Sequence, residues 1–459
     1  MPIYRNLNKY IFKPNDPLRK IISHFYQKKL DVSLICDKNR QICGLMTLSD
    51  LKKAIVNGTD PNTLVHEVMN KEFLSAPHTH KESDLVSLSK KQNKNQTKVI
   101  DRIPLVNKRG VVKGLYVNQK LVDKFSQKTV LVTGGAGYVG SLLSRKLLTK
   151  GYKVIVIDML QFGRESIKDF LNHKNFKLIE GSISDISVLM MGIREADAVI
   201  HLAGIVGDPA SSVNPLSTLE YNHFSTKSLI ELCKYYQIPR LVFASSCSVY
   251  GAGKNISDEK SIVNPLSLYA RTKVSSENDL LKAVDEHFHP TILRFSTLYG
   301  LSPRMRFDLV VNTMTANAFY KKLITVSGGD QWRPLLHVSD AAESCIKALE
   351  AKIEKVSGQI FNVGSSGENY TIAGIAKKIH QLIPKSQIVI KDAEGDKRDY
   401  KVSFRKIQNV LGFKNSNKLE LGIKEIVAEM KKGKFIKFKD KIYSNYEKQI
   451  WGSLHSSSR

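Results

Sequence analysis

The stretch Thr129–Ser141 reads TVLVTGGAGYVGS. A β-branched run opens it, glycines follow at Gly134, Gly137 and Gly140, and the apolar-periodic run SLLSRKLLTKG comes next. That order predicts a strand, a tight turn and a helix. Glycines in such a turn let the backbone approach a diphosphate, whose charge is met by the N-terminus of the following helix. The run YKVIVID then predicts a second strand ending in Asp158, twenty-four positions after Gly134. A carboxylate there can accept hydrogen bonds from the hydroxyls of an adenosine ribose and would repel a 2′-phosphate. NAD is therefore expected over NADP.

Downstream the chain keeps alternating. FKLIEG, DAVIHLAG, RLVFASS and PTILRFSTLYG predict strands, and STKSLIELCKYYQ predicts a helix. Alternation of this kind implies right-handed crossovers and a parallel, doubly wound sheet, with ligands at the carboxyl ends of its strands. One such end, HLAGIVGDP, carries Ala203 and Gly204, small enough for backbone to lie beside a cofactor. Two further stretches, ASSCSVYG and LYARTK, carry chemistry. Tyr269 and Lys273 are four apart and share a helix face. A phenol near its ordinary pKa of about 10 is a poor base, and an adjacent ammonium favours its phenolate. Tyr269 can then take a proton from a hydroxyl while a serine completes the hydrogen-bond network.

The motifs TGGxGxxG, HLAG, SSxxVYG and YxxxK, with the later GGDQWRPLLHVSD, resemble those of the extended short-chain dehydrogenase/reductases, the NAD-dependent nucleotide-sugar epimerases and dehydratases. The resemblance covers about residues 129–459. It implies a Rossmann core over about 129–300 and a substrate lobe mainly from about 301. Carried across, Ser246 is the catalytic hydroxyl, Tyr269 the base or acid, and Lys273 its partner and a ribose ligand. Cofactor contacts are implied at Gly134, Gly137, Tyr138, Val139, Gly140, Asp158, Ala203, Gly204 and Asn222. Arg333 and Arg398 are implied as ligands of the substrate diphosphate, with Asp340 an alternative, structural partner for Arg333. The sequence departs from the family at three places. Dehydratases carry Asp-Glu after the catalytic hydroxyl residue and decarboxylases keep the Glu, where this chain has Cys247 and Ser248. The adenine-contacting aspartate is replaced by Ser182, with Asp185 nearby to compensate. These departures leave a sugar 4-epimerase as the first expectation. A nucleotide-sugar dehydrogenase or ketoreductase, or a non-catalytic NAD sensor, are the alternatives.

Upstream, VSLICDKNRQICGLMTLSDL (Val32–Leu51) and RIPLVNKRGVVKGLYVNQKL (Arg102–Leu121) align without a gap, seventy positions apart. Each predicts a strand, a turn, a second strand entered at Gly44 or Gly114, and a helix start. Before the first copy, Asn15 or Asp16 is a candidate cap for a helix with Leu18, Ile21, Ile22 and Phe25 on one face. This segment, about residues 1–124, resembles a tandem pair of CBS domains, an α+β pair ahead of the α/β enzyme. In that family Gly-x-x-Thr-x-x-Asp binds an adenosine nucleotide, which implies Thr47 and Asp50 in the first copy; the second has Val117 and Lys120 there. The alternative is that Ser49 or Asp50 caps a helix starting at Leu51. Residues 71–100 are expected as an exposed loop, and the hinge to the enzyme falls near VDKFSQK.

Composition sets the frame. The chain has 459 residues, 42% hydrophobic and 25% charged, enough for two or three packed domains. No signal-peptide core and no run of eighteen apolar residues occurs, so no membrane span is expected. Five scattered cysteines without a CxxC pair fit a reducing compartment and argue against a metal site, and a cytoplasmic enzyme is expected. The formal charge of +27 is spread along the chain without a nucleic-acid-binding signature, so no nucleic-acid partner is expected. Both resemblances imply a homo-oligomer.

Overall fold

The computed structural model describes residues 3–27, 32–85, 87–88, 102–117, 129–392 and 398–446. The expected hinge and Lys120 lie outside them. The chain divides into two compact units, Met1–Gln127 and Lys128–Arg459.

In the first unit the repeat is reproduced residue by residue. Two antiparallel hairpins, Val32–Cys36 with Ile42–Thr47 and Arg102–Val106 with Val112–Val117, share one register at an offset of seventy. Val32 faces Thr47 as Arg102 faces Val117, and Ile35 faces Gly44 as Leu105 faces Gly114. A bulge follows in both, before Cys36 meets Ile42 and Val106 meets Val112. Each turn holds one residue of positive φ, Arg40 at 62° and Gly110 at 73°. The copies join through a bridge between Gln41 and Val111. Val32, Leu34, Leu45, Val112, Leu115 and Val117 then fill one buried cluster. Neither hairpin could bury that face alone.

Three expectations are corrected here. Asp16 does not cap the helix Leu18–Gln27; its carboxylate accepts from the Lys13 amide at 2.9 Å and the Lys20 ammonium at 2.7 Å. The helix expected from Leu51 begins at Leu48, with Thr47 as its cap. Part of the supposed loop after residue 71 is built into the core: Ala76–Pro77 pairs in parallel with Leu105–Val106, and Leu85 is fully buried. Lysines on either side masked that apolar pair.

The second unit is built on seven parallel strands: β1 (Thr129–Thr133), β2 (Lys153–Asp158), β3 (Phe176–Glu180), β4 (Ala198–His201), β5 (Arg240–Ser246), β6 (His289–Phe295) and β7 (Gln359–Val363). Their spatial order is β3-β2-β1-β4-β5-β6-β7. Alternate residues serve opposite faces, as the two-residue period of a strand requires. Val130, Val132 and Val156 enter one core, while Leu131, Ile155 and Phe243 enter the other. Between β1 and β4 the order reverses, and a crevice opens there at the strands' carboxyl ends. A lobe built on the strands Thr297–Tyr299, Trp332–His337 and Asn369–Thr371 packs with the helices Val310–Lys321, Ile372–Leu382 and Leu419–Lys431 around its own core. The boundary at residue 301 is less simple than expected. The chain returns from the lobe: Ala342, Cys345 and Ile346 of the helix Val338–Glu350 join the first of the two sheet cores, and Gln359–Val363 supplies β7.

Candidate active site

β1 ends at Thr133, and Gly134 turns the chain with φ of 74°. A Cβ on Gly134 would stand 2.8 Å from the Ala203 amide nitrogen, and one on Gly140 would stand 2.1 Å from the Gly134 carbonyl oxygen. Only glycine fits either place. Helix α1 (Gly140–Thr149) starts with no side-chain cap, so no side chain occupies the anion-attracting end of its dipole. Asp158, at the end of β2, accepts from the Ala136 and Leu160 amides, both at 2.9 Å. Burial raises its pKa, opposed by those two amides and by Arg304. The Tyr138 hydroxyl donates to the Gly300 carbonyl at 2.6 Å, tying the glycine loop to the lobe. The buried His201 bridges Thr133 at 2.7 Å and Thr226 at 3.0 Å and fixes the start of the Ala203–Gly204 turn; burial lowers its pKa to about 3.

Beside this cradle, in the same cavity of about 680 Å³, stand Ser246, Tyr269 and Lys273. Ser246 ends β5, and its Oγ accepts from the Ser248 amide at 3.1 Å and the Ser248 hydroxyl at 2.9 Å. Helix α2 (Leu268–Lys282) presents Tyr269 and Lys273 one turn apart, both buried. Lys273 donates to the Ala244 carbonyl at 2.8 Å. Burial lowers its pKa to about 8, while the charge of Glu277 one turn further on works the other way. The Tyr269 phenol is pushed up by burial and then by Asp208, and pulled down by Arg306 and by its hydrogen bond with Ser246.

The profile of the NAD dependent epimerase/dehydratase family matches residues 130–364, more than half of the chain. The chain belongs to that family. The CBS domain profile matches residues 8–57. An uncharacterized protein of Methanocaldococcus jannaschii is 30% identical over 316 residues, 65% of this chain and 94% of that protein. A UDP-N-acetyl-alpha-D-glucosaminuronate decarboxylase of Bacillus cytotoxicus is 29% identical, over 58% of this chain and 83% of the relative. Among solved structures, the UDP-glucuronic acid 4-epimerase of Bacillus cereus, in complex with UDP-glucuronic acid and NAD, is similar at a TM-score of 0.60 and 26% identity. That likeness covers 66% of this chain and 99% of the epimerase.

NAD is the cofactor of this family, and the cradle fits it, since Gly134, Gly137, Tyr138, Val139 and Gly140 border one cavity together with Asp158. Two residues expected at the cofactor serve the frame instead. Asn222 does not border the cavity: its Oδ1 accepts from the Ile205 amide at 2.7 Å and its Nδ2 donates to the Ile205 carbonyl at 2.9 Å, clamping the loop after Gly204. Asp185 caps the helix Ile186–Ile193, accepting from the Ser187 and Val188 amides, and is not a stand-in for Ser182. Of the two positions after Ser246, Ser248 borders the cavity. Cys247 points into the core, its thiol 3.2 Å from the Arg294 carbonyl and pushed up to about 12 by burial.

Behind the triad lies a buried network. Glu277 accepts from Ser245 and pairs with Arg294 at 2.6 Å, and Arg294 donates to Tyr250 at 2.9 Å. On the lobe side, Arg398 pairs with Asp208 at 2.9 Å, and its carbonyl accepts from Arg333 at 2.6 Å. Arg333 lines a neighbouring hollow with Arg306 and Arg398. The described residues show no ion pair between Arg333 and Asp340, whose carboxylate accepts from Ser416 and Asn417. Among the cavity residues that the family motifs did not single out are Asp208, Arg304, Arg306 and Asn445. The run PRMRFD was the available signal, with two arginines and an aspartate where an apolar strand end had just closed.

Proposed function

We propose that the chain is an NAD-dependent nucleotide-sugar 4-epimerase. The observation carrying this reading is that Ser246, Tyr269 and Lys273 share one cavity with the glycine cradle while neither residue after Ser246 is an acid. Bound NAD supplies reversible hydride acceptance at a sugar carbon. Tyr269 takes the proton from the sugar hydroxyl and later returns it. Lys273 supports the phenolate, and Ser246 holds the hydroxyl oxygen in line with Tyr269. Arg333 and Arg398 supply positive charge for the nucleotide-sugar diphosphate.

One observation favours a second reading. Asp208 brings a carboxylate to the cavity from the loop after β4, where it accepts from Ser267 at 2.5 Å. An acid so placed could assist the loss of a group, as dehydration requires. The two readings separate by product. NAD-replete protein is incubated with UDP-, GDP- and dTDP-linked hexoses and uronates, and products are read by NMR and mass spectrometry. Epimerisation inverts C4 without change of mass; loss of water or carbon dioxide overturns it. For the N-terminal unit we propose regulation or assembly, since every side chain placed at the cavity lies at or after Gly134. Residues 126–459 expressed alone should turn over substrate, and a folded but inactive fragment refutes this.

A further inference from the structure

Arg304 and Arg306 are equally buried, each 6% exposed, yet they differ in how their charge is met. Arg306 forms a two-pronged pair with Asp308, at 2.9 Å and 2.8 Å. Arg304 makes one hydrogen bond, from Nη2 to the Oδ1 of Asn445 at 2.6 Å. No carboxylate of the described residues lies within ion-pair distance of it, and its buried Nε has no hydrogen-bond partner. A buried guanidinium left this way is costly, because Coulomb attraction does not repay its lost hydration. It cannot escape by losing its proton, since guanidinium stays charged at neutral pH.

The surroundings hold that cation in place. Its plane carbon lies 3.6 Å from the centroid of the Phe162 ring, in the loop after β2. Asn445 fixes the other edge, while its own Nδ2 donates to the Val206 carbonyl at 3.2 Å and its amide to Asp308 at 3.0 Å. The outward part of Arg304 borders the cavity, on the side of Phe162, Asp158 and Tyr138. Those residues belong to the cradle, whereas Arg333 lines the neighbouring hollow.

We infer that Arg304 is a binding residue for the diphosphate of the dinucleotide, its charge bordering the cavity beside the glycine loop. The missing counter-charge is then the ligand's own. This inference rests on reading the cradle as a dinucleotide site, and the test separates the two. Full-length protein freed of nucleotide is titrated with ADP-ribose and with adenosine by calorimetry, and NAD-loaded protein is titrated with UDP. Arg304→Met should weaken ADP-ribose binding about 10- to 100-fold, the range for a charge-assisted contact. Adenosine and UDP binding should hold within about twofold. The melting temperature of the nucleotide-free variant should not fall, because an unpaired buried charge has been removed. Asn445→Ala, which frees the guanidinium without deleting it, should weaken ADP-ribose severalfold and serves if Arg304→Met does not fold. Unchanged ADP-ribose affinity in a folded variant overturns the assignment. So does a loss confined to UDP, which moves Arg304 to the substrate diphosphate. A wild-type chain that binds no ADP-ribose overturns the dinucleotide reading itself.

Discussion

The Lys273 ammonium lies 5.7 Å from the centre of the Tyr269 ring and 4.6 Å from that of Phe243. The cation is thus enclosed by two aromatic rings, with the Ala244 carbonyl as its one hydrogen-bond acceptor among the described residues. Burial and Asp208 push the Tyr269 phenol up, so proton transfer there depends on nearby positive charge that water does not screen. Tyr269→Phe should therefore lower turnover at least about a hundredfold, the usual contribution of a general acid-base group. Bound NAD and melting temperature should be unchanged. A variant retaining more than about a tenth of the wild-type rate shows that the proton travels by another route.

The same enclosure sets a pH limb. Because burial lowers the Lys273 pKa to about 8, the supporting cation is lost as pH rises through that value, and turnover should fall with it. Glu277 raises the Lys273 pKa, so Glu277→Gln should move the limb to lower pH. Glu277→Gln also costs stability by leaving Arg294 without its partner carboxylate. A profile of rate against pH that does not move in the folded variant removes Glu277 from this role.

Asp158 already holds the Ala136 and Leu160 amides, so the loop geometry and cofactor choice are coupled at one carboxylate. Asp158→Asn keeps an acceptor for the loop but removes the negative charge. NAD binding should weaken and NADP binding strengthen, measured as the ratio of their dissociation constants. Equal binding of both by the wild-type chain sinks the expectation.

In the first unit Thr47 and Asp50 form a reciprocal cap on the helix Leu48–Val56. Asp50 Oδ2 accepts from the Thr47 amide at 2.9 Å and hydroxyl at 2.7 Å. Asp50→Ala should cost about 1 kcal/mol of that unit's stability, as loss of a cap does. Denaturant unfolding of the full chain, followed in the first transition, measures it. An adenine nucleotide that stabilises the wild type and not Asp50→Ala would give Asp50 a second role beyond the cap.

What could be read from the sequence was whatever local spacing encodes. The glycine loop, the strand ends and the pair Tyr269–Lys273 all obey short periods, and the gapless repeat was legible too, though the bulge shared by its two hairpins was not. What could not be read was contributed across long separations. Asn445 reaches Arg304 and Val206 from the far end of the lobe. Asn222 was implied as a ligand by the family resemblance, but its amide is consumed by Ile205. Asp208 stood in a Gly-Asp-Pro turn whose composition suggests a loop and nothing more, until the Ser267 cap and Arg398 were folded against it.

The cavity is bounded by Gly134 at one extreme of the enzyme unit and by Asn445 at the other. A chain emerging from the ribosome therefore displays its nucleotide-binding loop long before it owns a pocket. The segment through Arg398 and Asn445 must arrive before the walls meet. Capture of the dinucleotide is then a late event in biogenesis. Chains cut short of Asn445 would carry the glycine loop but lack the residue that holds Arg304 at the cavity wall.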